Sequence, residues 1–131
     1  MMKQFWALIV FSCFFFTCSS GPSPEECEAV RHGKYKMFDS QSGITYDIER
    51  IGNVQFEING QTKDTVIYNV RWTGDCWYYL TLQSGPGWMN DQWEFNELAI
   101  QITEILPTDY SFRAKFKTSE HIIYNTIQRV P

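Results

Sequence analysis

The residues able to do chemistry are few in this chain, and they are widely spaced. Asp47, Glu49 and Glu57 fall on two neighbouring predicted strands. There, two carboxyl groups can approach the separation used in glycoside hydrolysis. They alternate with apolar residues, Tyr46 and Ile48 on one strand, Phe56 and Ile58 on the other. The pattern therefore reads them as a solvated acidic sheet face. Serines occur without a G-x-S-x-G elbow. His32 falls in a linker and His121 at the start of a strand. A Ser-His-Asp set assembles in space rather than in sequence, but nothing here marks one. The expectation is a protein that is not an enzyme and takes neither cofactor nor metal.

Arg50 stands apart. It continues the apolar face of Ile44, Tyr46 and Ile48, so it points inward or at a barrel rim. Gln55 and Glu57 lie across the Gly52-Asn53 turn, within hydrogen-bonding reach. An inward arginine clamps a ligand carboxylate bidentately, or it is satisfied internally and closes a barrel end. The aromatic residues offer a second candidate. Trp77 and Tyr79 alternate away from the Cys76 face and form an exposed patch of the kind that meets a partner, a membrane or a sugar. Trp88 and Trp93 sit in the loop 83–93, QSGPGWMNDQW. They either bind a ligand or fold back to plug the barrel mouth. Arg71 alternates outward beside Trp72.

The cysteines speak to compartment. Lys3 and the apolar run 5–16 have the shape of a signal peptide, too short to span a bilayer comfortably. The run ends in Phe15-Phe16-Thr17-Cys18 and is followed by Ser19-Ser20-Gly21-Pro22. This resembles a bacterial lipoprotein signal, although Phe15 and Thr17 replace the usual Leu and Gly or Ala. Residues 1–17 are then the signal peptide and Cys18 the acylated residue, carrying palmitate-type chains. Residues 18–32 are the lipidated tether, and residues 33–131 the β domain. Ser19 after the cysteine suits outer-membrane sorting. Cleavage near Ser20 without an anchor is the alternative. With Cys13 discarded, Cys27 and Cys76 remain as a pair in an oxidising compartment. A disulfide is expected; the alternatives are two buried thiols or a metal site. No C-x-x-C or H-x-x-H spacing favours metal.

The elements that carry these residues read as strands. Seventeen per cent aromatic content favours a β-rich core. Residues 65–82, TVIYNVRWTGDCWYYLTL, form a central hairpin. Val66, Tyr68, Val70 and Trp72 share one face of its first arm; Cys76, Tyr78, Leu80 and Leu82 share one face of its second. Before it come strands at 34–38, 44–51 and 54–58, with Asn59-Gly60 as a tight hairpin signal. After it come strands at 94–105, with a bulge near Thr103, at 110–117, and at 121–129, whose facing is open. Ser23-Pro24-Glu25-Glu26 reads as a helix start. The fold class is all-β: about eight antiparallel strands in an up-and-down meander, closed as a barrel or curled as a half-barrel.

Several short motifs, taken in order, resemble a group of small exported lipoproteins from Bacteroidetes-type bacteria. They are Cys27, Gly33-Lys34-Tyr35, Ile48-Glu49-Arg50, Gln55-Phe56-Glu57, Val70-Arg71-Trp72 and Asp75-Cys76, with an echo at Tyr110-Ser111-Phe112. Some members of that group bear the name DNA topoisomerase IV. The leader, the net charge of −4, the length of 131 residues and the lack of a nucleotide-binding loop argue against that activity here. The eleven Lys and Arg residues are scattered singly, so no basic face addresses nucleic acid. The resemblance implies an envelope lipoprotein and transfers no activity.

The function expected is therefore non-enzymatic binding of a protein partner at the cell envelope, with the protein held at the outer membrane by its lipid. A calycin-like carrier of a small amphipathic or hydrophobic ligand is the alternative, with Arg50 at its acid end and Trp88 and Trp93 as lid. An inhibitor or structural envelope protein is a third reading. A carrier requires a continuous internal cavity.

Overall fold

The computed structural model describes residues 21–131. Cys18 and the signal segment lie outside the described residues. Eight antiparallel strands form a closed barrel in simple up-and-down order: β1 (Gly33–Asp39), β2 (Ile44–Ile51), β3 (Val54–Asn59), β4 (Thr65–Trp72), β5 (Trp77–Ser84), β6 (Leu98–Ile105), β7 (Asp109–Phe116) and β8 (Ile123–Arg129). β1 pairs with β8 through Tyr35–Arg129, Lys36–Gln128 and Met37–Ile127, which removes both sheet edges. A short helix α1 (Pro24–Ala29) precedes the barrel, and α2 (Asn90–Trp93) sits in the β5–β6 connection.

Period-2 alternation builds the core. Tyr35, Ile48, Tyr68, Val70, Tyr78, Leu80, Ile100, Ile102, Phe112, Ala114 and Ile127 all turn inward and are buried. The central hairpin folds with the expected facing, Tyr68 and Val70 against Tyr78 and Leu80. The bulge near Thr103 appears as a register shift between Ile102 and Glu104. β8 turns Ile123 and Ile127 inward, opposite Ala114 and Tyr110.

β3 reverses the expected facing. Its apolar residues Val54, Phe56 and Ile58 point outward, and Gln55 and Glu57 point into the barrel. The cause is register. The two-residue turn Gly52-Asn53 pairs Ile51 with Val54, hence Arg50 with Gln55 and Ile48 with Glu57. Residues directly paired share a face, and β2 already commits Ile48 and Arg50 inward. The solvated acidic face is thus confined to Asp47 and Glu49, with Asp47 beside Lys36 at 3.6 Å on the outer surface.

Two connections also differ from expectation. Asn59-Gly60 does not make a tight hairpin turn; the loop runs to Asp64, with the Asn59 carboxamide accepting from the Gln61 and Thr62 amides at 2.9 and 3.1 Å. Glycine is required at position 60 for another reason, because a Cβ there would stand 2.4 Å from the Thr45 carbonyl oxygen on β2. β6 begins at Leu98 rather than Glu94, because Phe95, with φ of 53°, turns the chain first.

α1 closes one end of the barrel. Ser23 caps it in a reciprocal box with Glu26. Cys27 and Val30 are fully buried under it. Cys27 is bonded to Cys76 at the foot of β5, so the disulfide joins the helix to the barrel wall. The Tyr35 hydroxyl donates within reach of the Val30 and His32 carbonyls, at 2.8 and 2.9 Å.

Candidate functional site

A cavity of about 820 Å³ occupies the barrel and opens at the end opposite α1. Its walls are the inward residues of the strands, and its rim is built from the β1–β2, β3–β4, β5–β6 and β7–β8 connections. The surface is largely apolar. Into it project a few polar side chains, chiefly Gln55, Glu57 and Tyr68. Among the described residues no lysine or arginine lines it.

Arg50 lies below this cavity, sealed from it. It is 1 % exposed. Its Nε donates to Gln55 Oε1 at 2.9 Å and its Nη1 to the Val30 carbonyl at 3.0 Å. Nη2 donates to the Tyr110 hydroxyl, which lies 3.2 Å from that of Tyr78. The guanidinium sits over the Tyr78 and Tyr35 rings at 4.9 and 5.2 Å. Burial opposes its charge, yet the surrounding hydroxyls of Tyr110, Tyr78 and Tyr35 hold its pKa above the ordinary arginine value. With its donors engaged by the protein, Arg50 closes the barrel end. The ligand clamp considered for it has no place, because the tyrosines and α1 occupy the positions a carboxylate needs.

Glu57 is the ionisable group that the cavity does present. It stands mid-strand, opposite Ile48 on β2 and Val66 on β4. It is surrounded by protein yet retains accessible surface, because what it exposes faces the cavity. Burial pushes its carboxyl up to about 7; the Tyr68 hydroxyl and the Arg50 guanidinium pull it back only in part. The Tyr68 hydroxyl is itself raised, by burial and by the neighbouring Glu57 charge. The ion pairs Lys36–Asp47, Arg71–Glu97 and Lys115–Glu120 all stand on the outer wall, and none involves Glu57. Counting outward from the Gly52-Asn53 turn would have revealed this inward carboxylate; the apolar alternation of Val54, Phe56 and Ile58 concealed it.

The remaining candidates separate. Trp93 is buried, its ring 5.0 Å from those of Tyr68 and Phe116, and it forms part of the cavity wall beneath the β5–β6 loop. Trp88 lines the rim and is 73 % exposed. The two tryptophans therefore divide the roles of plug and exposed loop aromatic. Trp77 is 37 % exposed on the outer wall. Tyr79 beside it is half-buried, with the Arg71 guanidinium 4.5 Å above its ring. This outer patch and the cavity lie on opposite sides of β5. Asp47, Glu49 and Glu57 do not converge, since only Glu57 faces inward. His32 lies at the closed end and His121 at the open rim. Among the described residues no three His, Cys, Asp or Glu side chains gather as metal ligands. No protein-family model, curated protein or solved structure matches the chain.

Proposed function

We propose that this protein is a carrier or binding protein whose barrel holds one small, largely apolar ligand at the bacterial cell envelope. The observation that carries the reading is the cavity of about 820 Å³, open at one end and walled mainly by apolar side chains. Small-molecule sites typically enclose roughly 300–1,000 Å³ with a few placed polar groups. The apolar rim supports it further. Trp88, Ile122 and Tyr124 line the opening and are exposed, which suits a ligand arriving from an apolar phase. The disulfide supports an exported protein, and in this reading Cys18 carries the lipid that holds the chain at the outer membrane.

Isothermal titration with decanol tests the reading. The wild-type chain is expected to take up one molecule, with the negative heat-capacity change that apolar burial produces. Ala114→Leu, which fills the cavity wall, is expected to weaken uptake while unfolding remains cooperative. Absence of saturable binding of decanol, decylamine and decanoate alike would overturn it. A second reading, a protein partner docking on the outer wall, rests on the part-exposed Trp77. It predicts that Trp77→Ala abolishes partner capture and leaves decanol uptake unchanged.

A further inference from the structure

Resting on the cavity reading above, we infer that the ligand is an amphipathic cation, an apolar body carrying an amine, and that Glu57 is its counter-ion. Three observations converge. First, Glu57 is the carboxylate set below the rim in the cavity wall, at the middle of β3, and no lysine or arginine among the described residues shares that wall. Its one cationic neighbour, Arg50, is sealed beneath the barrel floor and engaged by Gln55, Val30 and Tyr110. Second, what surrounds Glu57 is an apolar wall, with Ile48 and Val66 directly paired to it. Among the described residues the Tyr68 hydroxyl is the one donor that offsets its burial, and only in part, so an ionised carboxylate here still costs free energy unless a cation reaches it. A ligand amine supplies that cation in one charge-assisted contact. Third, the carboxylates Asp39 and Asp64 line the rim, with His121 as its one basic side chain among the described residues, and the chain carries −4 overall. A fatty-acid carboxylate entering this barrel would meet like charge at the rim and again at Glu57.

The contact is expected to depend on pH. The titratable and charged groups around Glu57 are Tyr46 and Arg50 from β2, Tyr68 from β4 and Tyr78 from β5, with Asp39, Asp64, His121 and Tyr124 farther off at the rim. Burial keeps Tyr46, Tyr68 and Tyr78 neutral through the physiological range, so Glu57 is the group in the cavity wall itself whose charge changes there. Burial holds its carboxyl near neutrality. Amine binding is then strongest where Glu57 is ionised and weakens as acidification protonates it.

The test compares three probes of equal chain length, decylamine, decanol and decanoate, by isothermal titration of the intact exported chain. At about pH 8, decylamine is expected to bind about tenfold more tightly than decanol, with decanoate the weakest, the order a single charge-assisted contact produces. The amine preference is expected to shrink as pH falls below neutrality. Glu57→Gln is expected to abolish that preference, bringing decylamine and decanol to equal affinity. If Glu57→Gln fails to fold, the wild-type pH series is the second test: an amine preference that does not shrink on acidification overturns the assignment. Equal affinity for amine and alcohol in the wild type, or a preference that survives Glu57→Gln, overturns the counter-ion assignment and leaves the cavity reading standing. Binding of none of the three overturns the cavity reading and this inference with it.

Discussion

Glu57 and Arg50 face the same interior and differ in what surrounds them. Arg50 is ringed by acceptors and aromatic faces and keeps its charge at little net cost. Glu57 stands in an apolar wall, and its carboxyl is pushed up from the ordinary 4.5 to about 7. The linkage has a definite sign. Between those two values the folded chain binds more proton than the unfolded one, so stability falls as pH rises through this window and levels off above it. Glu57→Gln is therefore expected to stabilise the protein at about pH 8, by roughly 1–2 kcal/mol, and to change nothing at about pH 4. The gain is smaller than a dry site would give because the cavity opens to solvent. Urea unfolding at the two pH values checks this. A variant less stable than wild type at the higher pH would contradict the account.

At the scale of elements, the disulfide and β3 carry the argument. Cys27 is anchored in a helix of six residues, too short to persist alone. What keeps α1 in place is the bond to Cys76, 49 residues on, together with the buried Val30. Closing a loop of this length is worth about 3–4 kcal/mol in the chain-entropy account. Replacing both cysteines by alanine is expected to lower stability by about that amount and to increase amide exchange first at Val30 and Arg31, whose N–H groups donate to the Cys27 and Glu28 carbonyls. Loss of stability without faster exchange at the helix would place the effect elsewhere. β3 shows how an element's neighbours override its own pattern. Its alternation is as clear as that of β4, yet it inverts, because a two-residue turn leaves the register no freedom.

For the whole molecule, a barrel has two ends, and here one is closed and the other open. The closed end is held by Arg50, which joins α1, β3 and β7 from its own position on β2. Removing it strands several buried polar groups at once. Arg50→Met is expected to cost about 2–4 kcal/mol in global stability, seen as an earlier urea midpoint, with decanol affinity unchanged in the chains that remain folded. A stable Arg50→Met that no longer bound ligand would instead make Arg50 part of the site. The open end carries the exposed aromatics and the cavity.

The all-β class, the strand count, the meander order, the central hairpin and the Cys27–Cys76 pair were legible in the residues alone. Each follows from local alternation, turn chemistry or cysteine parity, which act over a few neighbouring positions or need no geometry. Arg50 was legible as an inward residue, because it extends the face of Tyr46 and Ile48. Its role was not, since that depends on Tyr78 and Tyr110, which lie far along the chain and meet it only when the barrel closes. The facing of β3, the inward Glu57 and the split between buried Trp93 and exposed Trp88 were likewise decided by tertiary structure. Register and closure select one face of each strand globally. A strand with apolar residues on one face and polar residues on the other fits either choice until its partners are in place.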